Sequence, residues 1–173
     1  MYTYFSVCST ESYQQKYIVF LLENYEQLRL PYPFSVSLSF LASPILLERE
    51  AILALNEEEE PVAAFSYIYG TGENNYQDKD IVQVQIAFIS EPYRNTRLFL
   101  RGLQFLIEYI ESLDEPVKEF RFWAPADDDC RTLFGKMATL SSSVDTVFGR
   151  IDEYRSSFAA WKDYAARFRY DNV

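Results

Sequence analysis

Between Ile89 and Phe99 the chain reads Ile89-Ser90-Glu91-Pro92-Tyr93-Arg94-Asn95-Thr96-Arg97-Leu98-Phe99. Pro92 breaks an apolar strand, and a helical pattern follows at once. The opening turn of a helix carries backbone N–H groups with no partner inside the helix, at the positive end of the dipole. Such a turn seats anions, phosphate among them. Arg94 and Arg97 add fixed positive charge there, and a guanidinium suits bidentate phosphate contact. Asn95 and Thr96 either donate to phosphate oxygens or cap the helix. The two arginines read equally as exposed cations closing a loop in an acidic protein.

Other reactive groups are few. The sequence has no histidine, which removes Ser-His-Asp and Cys-His chemistry. Cys8 and Cys130 are far apart and suggest no disulfide framework, so a reduced compartment is the simpler expectation. Two thiols without imidazoles leave too few ligands for most zinc sites, and no metal is expected. Cys130 reads as a small apolar helix residue rather than a nucleophile. Asp127, Asp128 and Asp129 read as a helix start favoured by the dipole, and Glu57 to Glu60 as a solvated turn. Tyr67, Tyr69 and Tyr93 are core or rim aromatics by default, with lining an acceptor pocket as the sharper reading. The strand Ile81 to Ser90 carries Gln83 and Gln85, and glutamine can position a water but cannot take its proton. Glu50 and Glu91 are the nearest acids in sequence. No residue is assigned as catalytic.

The elements that must position these groups follow from periodicity. Tyr2 to Cys8 predicts a strand. Ser9 and Thr10 cap a helix running to about Arg29, with Tyr13, Tyr17, Phe20, Leu21, Tyr25 and Leu28 at helical spacing. Pro31 and Pro33 stop it, and a short helix from Phe34 to Leu41 is ended by Pro44. Glu50 to Leu55, Pro61 to Tyr69 and Ile81 to Ser90 predict an antiparallel meander. Its second connection, Gly70 to Asp80, fits a mobile hairpin tip. A helix from about Arg97 to Leu113 buries Leu103, Leu106, Ile107, Ile110 and Leu113. Asp114-Glu115-Pro116 turns into a strand, Val117 to Ala124. A helix from Ala126 to Leu140, a strand from Val144 to Arg150 and a closing helix with Phe158, Trp161, Tyr164, Ala165 and Phe168 complete the reading. Nothing repeats, and one domain over 1–173 is expected.

A net charge of −10 disfavours phosphate backbones and anionic membrane surfaces as partners, so no nucleic acid and no membrane are expected. No apolar run reaches the roughly 20 residues that span a bilayer. The aromatic start, Met1 to Ser6, lacks the basic stretch of a signal peptide. A cytoplasmic location is expected.

In this order, strand, two helices, meander, helix, strand, helix and tail, the chain resembles the GNAT (GCN-related N-acetyltransferase) superfamily. The resemblance covers nearly the whole chain as a pattern and is sequence-specific only between about Ile81 and Ala138. It implies an α/β (α+β mixed) architecture, the GNAT-like acyl-CoA N-acyltransferase fold. A central mixed, mostly antiparallel sheet would be flanked by helices. Ile89 to Arg94 is similar to the first half of the family segment V-x-P-x-x-R-G-x-G-x-G. The family glycines fall on Asn95, Arg97 and Phe99, none of which is glycine, and Gly102 is out of register. A second segment, N-x-x-A-x-x-x-Y-x-K-x-G-F, falls on Asp127, Cys130, Phe134, Lys136, Ala138 and Thr139, with only Lys136 kept. Phe134 lacks the hydroxyl that the family tyrosine offers a departing thiolate.

The resemblance implies acetyl-CoA as co-substrate. Its pyrophosphate would lie on Arg94, Asn95, Thr96, Arg97, Leu98 and Phe99. Its pantetheine arm would lie along Ala87, Phe88 and Ile89, where two parallel strands would splay; ordinary sheet pairing is the other reading. The implied activity is acetyl transfer to a small-molecule or peptide amine. Strand N–H near Phe88 would stabilise the oxyanion, and a proton would leave through water. The lost glycines, carboxylate and tyrosine equally fit a non-catalytic descendant that binds or regulates, and an unrelated α+β interaction protein is the third reading. The tail departs from the family's paired strands, with Tyr154 to Phe168 reading as helical. Its aromatic face would cover a sheet edge or form a homodimer contact.

Overall fold

The computed structural model describes residues 2–47, 50–94, 96–114 and 116–167. In chain order it contains β1 (Tyr4–Val7), α1 (Glu11–Glu23), α2 (Phe34–Leu46), β2 (Ala51–Leu55), β3 (Pro61–Tyr69), β4 (Ile81–Ile89), α3 (Leu98–Glu111), β5 (Glu119–Pro125), α4 (Asp128–Phe134), β6 (Thr139–Thr146), β7 (Gly149–Ser157) and α5 (Phe158–Ala166). The strands form an open, mostly antiparallel sheet in the order β1-β2-β3-β4-β5-β7-β6, with helices as its flanking elements. This is the expected fold class.

The chain divides into two compact units, Met1–Ile68 with Val84–Leu106, and Tyr69–Gln83 with Ile107–Val173. In the first, β1 pairs with β2 and β2 with β3, both antiparallel. Thr10 caps α1 by accepting from Tyr13 N (3.4 Å). Tyr17, Phe20 and Leu21 of α1, Leu41 of α2, and Leu53, Leu55, Ala64, Ile86 and Phe88 from the strands share one core. The buried Tyr17 hydroxyl donates to Ser66 Oγ (2.8 Å), which satisfies both groups. On the α3 side, Gly102 lies so near Phe65 that a Cβ on it would meet the ring. Arg101 donates to the Thr3 side chain and carbonyl (2.8 and 2.9 Å).

Pro44 does not end α2, contrary to expectation; it lies inside it. A proline there cannot bond the Phe40 carbonyl. Ser43 Oγ donates to that carbonyl instead (2.9 Å).

The second unit is built on β5, β7 and β6, paired antiparallel. Lys118 N and Glu119 N both donate to Asp80 O (2.7 and 3.3 Å). The 70–80 connection is tied by Asp78, which accepts from Thr71 N (2.7 Å), Thr71 Oγ1 (2.6 Å) and Asn74 Nδ2 (3.0 Å). Those bonds, led by the Thr71 hydroxyl, pull the Asp78 carboxyl down to about 2.

The tail differs from the sequence reading. The helix expected over Ala126 to Leu140 stops at Phe134, because Gly135 to Ala138 tighten into a turn and Thr139 pairs with Arg155. The strand expected at Val144 to Arg150 is the tip of a β6–β7 hairpin, turning at Gly149 with φ +122°. Tyr154 to Ser157 are strand, and α5 begins at Phe158. Trp161 of α5 stacks on Phe120 with ring centroids 4.2 Å apart, so the aromatic face covers the sheet of its own unit. Phe168 and Glu115 lie outside the described residues. Among the described residues no helix is long and apolar enough to cross a membrane.

Candidate functional site

In the first unit, β4 ends where Ser90 N and Ser90 Oγ both donate to Val62 O (2.9 Å each). Pro92 then sits in a short 3-10 turn, Glu91–Tyr93, closed by Tyr93 N to Ser90 O (3.0 Å) and Arg94 N to Glu91 O (3.1 Å). Thr96 Oγ1 donates to Tyr93 O (2.6 Å) and accepts from Leu98 N (3.2 Å). Its hydroxyl is therefore spent on capping. The first helical bond of α3 runs from Arg101 N to Arg97 O (2.9 Å). No described residue is recorded as accepting from Leu100 N. That N–H group, at the positive end of a helix of 14 residues, is of the kind an anion can use.

The charges around it are partly committed. Arg94 is exposed, yet its Nε donates to Ile89 O (2.9 Å) and its Nη2 to Gln27 Oε1 (2.8 Å). Its guanidinium carbon stands 5.6 Å from the centroid of Phe88. The remaining N–H groups of the fork stay available for a second acceptor. Arg97 is exposed, Leu98 is buried, and Phe99 is half-buried. Of the strand residues read as lining a pantetheine arm, Ala87 is exposed, Phe88 buried and Ile89 half-buried. Asn95 lies outside the described residues.

The alternation of β4 lapses over Gln83–Gln85, all half-buried. Gln85 Oε1 stands 3.0 Å from Ser43 Oγ on α2. Ser43 was not singled out from sequence; the signal was a serine beside a proline in an apolar helix. Glu50 is buried at the head of β2 and Glu91 is exposed.

In the second unit, Asp127 caps α4 by accepting from Cys130 N (2.8 Å). Phe134 meets Phe122 edge-on (5.0 Å, 66°) and lies 5.6 Å from the Tyr154 ring. Tyr154 is buried, its hydroxyl has no partner among the described residues, and burial pushes its pKa up. Lys136 is exposed. Among the described residues no group of three or more His, Cys, Asp or Glu could hold a metal ion.

No family model matches the chain, and no curated protein matches it. Solved structures do. An acetyltransferase of the GNAT family from Staphylococcus aureus Mu50 aligns at 13% identity and TM-score 0.63, over 91% of this chain and 99% of that one. A chain of the NatC complex bound to Gag peptide and CoA aligns at 12% identity and TM-score 0.67, over 91% and 99%. An aminoglycoside 6'-N-acetyltransferase complexed with coenzyme A aligns at 10% identity and TM-score 0.60, over 91% and 97%. The chain has the fold of GNAT-family acetyltransferases.

Proposed function

We propose that this chain, with its GNAT acetyltransferase fold, binds acetyl-CoA and passes the acetyl group to an amine of a small molecule or peptide. Both compact units are read as one acetyltransferase domain over 1–173, in a cytoplasmic protein. The observation that carries the reading is the opening of α3, where Leu100 N has no recorded acceptor among the described residues and Arg94 and Arg97 stand exposed beside it. A pyrophosphate fits such a donor set. Thr96 supports it by holding the turn rather than by touching phosphate. Two of the structural neighbours are named as CoA complexes, which supports the choice of cofactor. One of them is named as a peptide complex and the other as an aminoglycoside enzyme, which supports amines of either size.

Acetyl-CoA would supply the activated acetyl thioester. The chain would contribute placement: anion capture at α3, and the β4 backbone around exposed Ala87 for the amide-bearing arm. With Gln83 and Gln85 on β4 where the family carries an acid, proton removal would pass to water. The net charge of −10 favours a cationic amine.

A thiol-release assay with acetyl-CoA and a panel of primary amines and free-N-terminus peptides tests the reading. Turnover dependent on one amine class supports it. A second reading, a catalytically inactive GNAT-fold binding or regulatory protein, is favoured by Phe134. That side chain packs edge-on to Phe122 with no hydroxyl to offer. Saturable acetyl-CoA binding without turnover across the panel selects it.

A further inference from the structure

From Leu30 to Leu47 the chain carries no charged residue, although 24% of the whole sequence is charged. This stretch contains α2, whose inner face is fixed. Ser37, Leu41 and Pro44 are buried. Ser37 Oγ accepts from the Tyr25 hydroxyl (3.1 Å) and donates to Tyr32 O (3.4 Å). The opposite stripe, Ser35, Ser39, Ala42 and Leu46, follows helical spacing and is turned away from that core. Ser35, Ser39 and Leu46 are exposed and Ala42 is half-buried. Phe34, Val36, Leu38, Leu46 and Leu47 keep 39% to 79% of their surface in solvent. At the roughly 200 Å² that a large apolar side chain offers when fully exposed, those fractions leave on the order of 500 Å² on each copy, the larger part of the about 800 Å² per partner of a standard interface. Phe34 is held while exposed, because the Tyr25 ring meets it edge-on (5.2 Å, 85°). An anchor already ordered loses little freedom on contact.

We propose that this face of α2 is a homodimer interface, on which two copies of the chain pack α2 against α2, antiparallel across a two-fold axis. Charge selects the occupant. Each copy has a net charge of −10, so two copies meet at least cost where neither brings a carboxylate. A basic partner would gain from acidic segments such as Glu57 to Glu60, and it gains nothing from an uncharged helix. An anionic membrane surface is disfavoured by the same net charge. Shape agrees with a second copy. With the axis midway between Phe40 and Leu41, Ser35 faces Leu46 of the second copy and Ser39 faces Ala42 of the second copy. Small residues at the centre let the helix axes approach to about 8–10 Å, and the large apolar ends close over them. The stripe is thus complementary to itself, as an isologous contact requires. The inference stands independently of the acetyltransferase reading.

Sedimentation velocity and equilibrium of the full chain read its mass as concentration rises. A shift from one chain mass to two is expected in the micromolar range. Because like charges approach each other, raising NaCl from about 50 to about 500 mM should tighten the dimer several-fold. Ser39→Glu, made at an exposed position, should weaken dimerisation on the order of 100-fold. Its urea midpoint should match wild type at a dilution where both are monomers. Ser39→Lys alone should weaken the dimer likewise, and an equimolar mixture of the two variants should recover a heterodimer. Val147→Glu, at the exposed tip of the β6–β7 hairpin, should leave the dimer intact. A chain that stays monomeric to about 100 µM at high salt overturns the proposal, and a different protein then occupies the face or none does. A dimer that salt loosens, or that Ser39→Glu leaves intact, also overturns it, because the contact then lies on another surface.

Discussion

Asp152, fully buried on β7, holds Arg131 of α4 through both carboxylate oxygens, with Nε to Oδ2 at 2.8 Å and Nη2 to Oδ1 at 3.2 Å. Ser143 of β6 donates to the same carboxylate. The Arg131 hydrogen bonds keep the Asp152 carboxyl below the usual carboxylate range. A group whose folded pKa is depressed contributes stability above its unfolded pKa, about 3.9, and loses that contribution as pH falls through the folded value. The urea midpoint should therefore fall steeply below about pH 4, with Asp78 adding to the loss down to about 2. Asp152→Asn should cost about 1–3 kcal/mol at pH 7 and flatten that acid slope. The figure is held below the usual range for broken buried pairs because Arg131 keeps 45% of its side chain in solvent. Urea titrations of both proteins from pH 7 to pH 3 read the effect.

Gly102 on α3 has Phe65 Cζ only 2.3 Å from where its Cβ would be. Phe65 is itself buried and packed on Phe5, so it has little room to yield. Gly102→Ala should destabilise by about 1–3 kcal/mol despite the roughly 1 kcal/mol gain in helix propensity. Adding Phe65→Leu should make the alanine better tolerated. A double-mutant cycle by chemical denaturation checks both signs.

The two thiols should separate cleanly. Burial pushes the Cys8 thiol up to about 12, and the side chain is 2% exposed. Cys130 is half-buried near the start of α4. A thiol-specific disulfide reagent at pH 8 should titrate one cysteine quickly in the native protein and the second only on unfolding, since the thiolate is the reactive form. Cys130→Ser should abolish the fast phase.

The parts of the fold legible in sequence were those set by local pattern. Thr10 ahead of a helical stripe, the apolar runs of β2 to β4 and the stripe of α3 each announce their element without help from distant residues. The β6–β7 hairpin was missed because Asp152, Glu153 and Arg155 make β7 look like a surface segment. Asp152 and Glu153 are buried on the strength of partners far off in sequence, Arg131 and Ser143 for one and Ser141 for the other. Pro44 misled for a related reason: whether a proline ends a helix depends on who takes the abandoned carbonyl, and Ser43 does. At the site, the turn from Pro92 to Arg97 was legible from residue type. The commitment of Arg94 to Gln27 and Ile89, and the meeting of Ser43 with Gln85, required the tertiary structure.

The most direct test is calorimetric titration of the full chain with acetyl-CoA and with desacetyl-CoA, beside the Arg94→Ala, Arg97→Ala double variant. Saturable binding in the micromolar range is expected for the wild type. The double variant should lose roughly tenfold or more, since each charge-assisted bond to phosphate is worth about 1.5–3 kcal/mol in favourable cases and less when exposed. Wild-type protein that takes up neither ligand, or a double variant that binds as tightly as wild type, would contradict an anion seat at the start of α3.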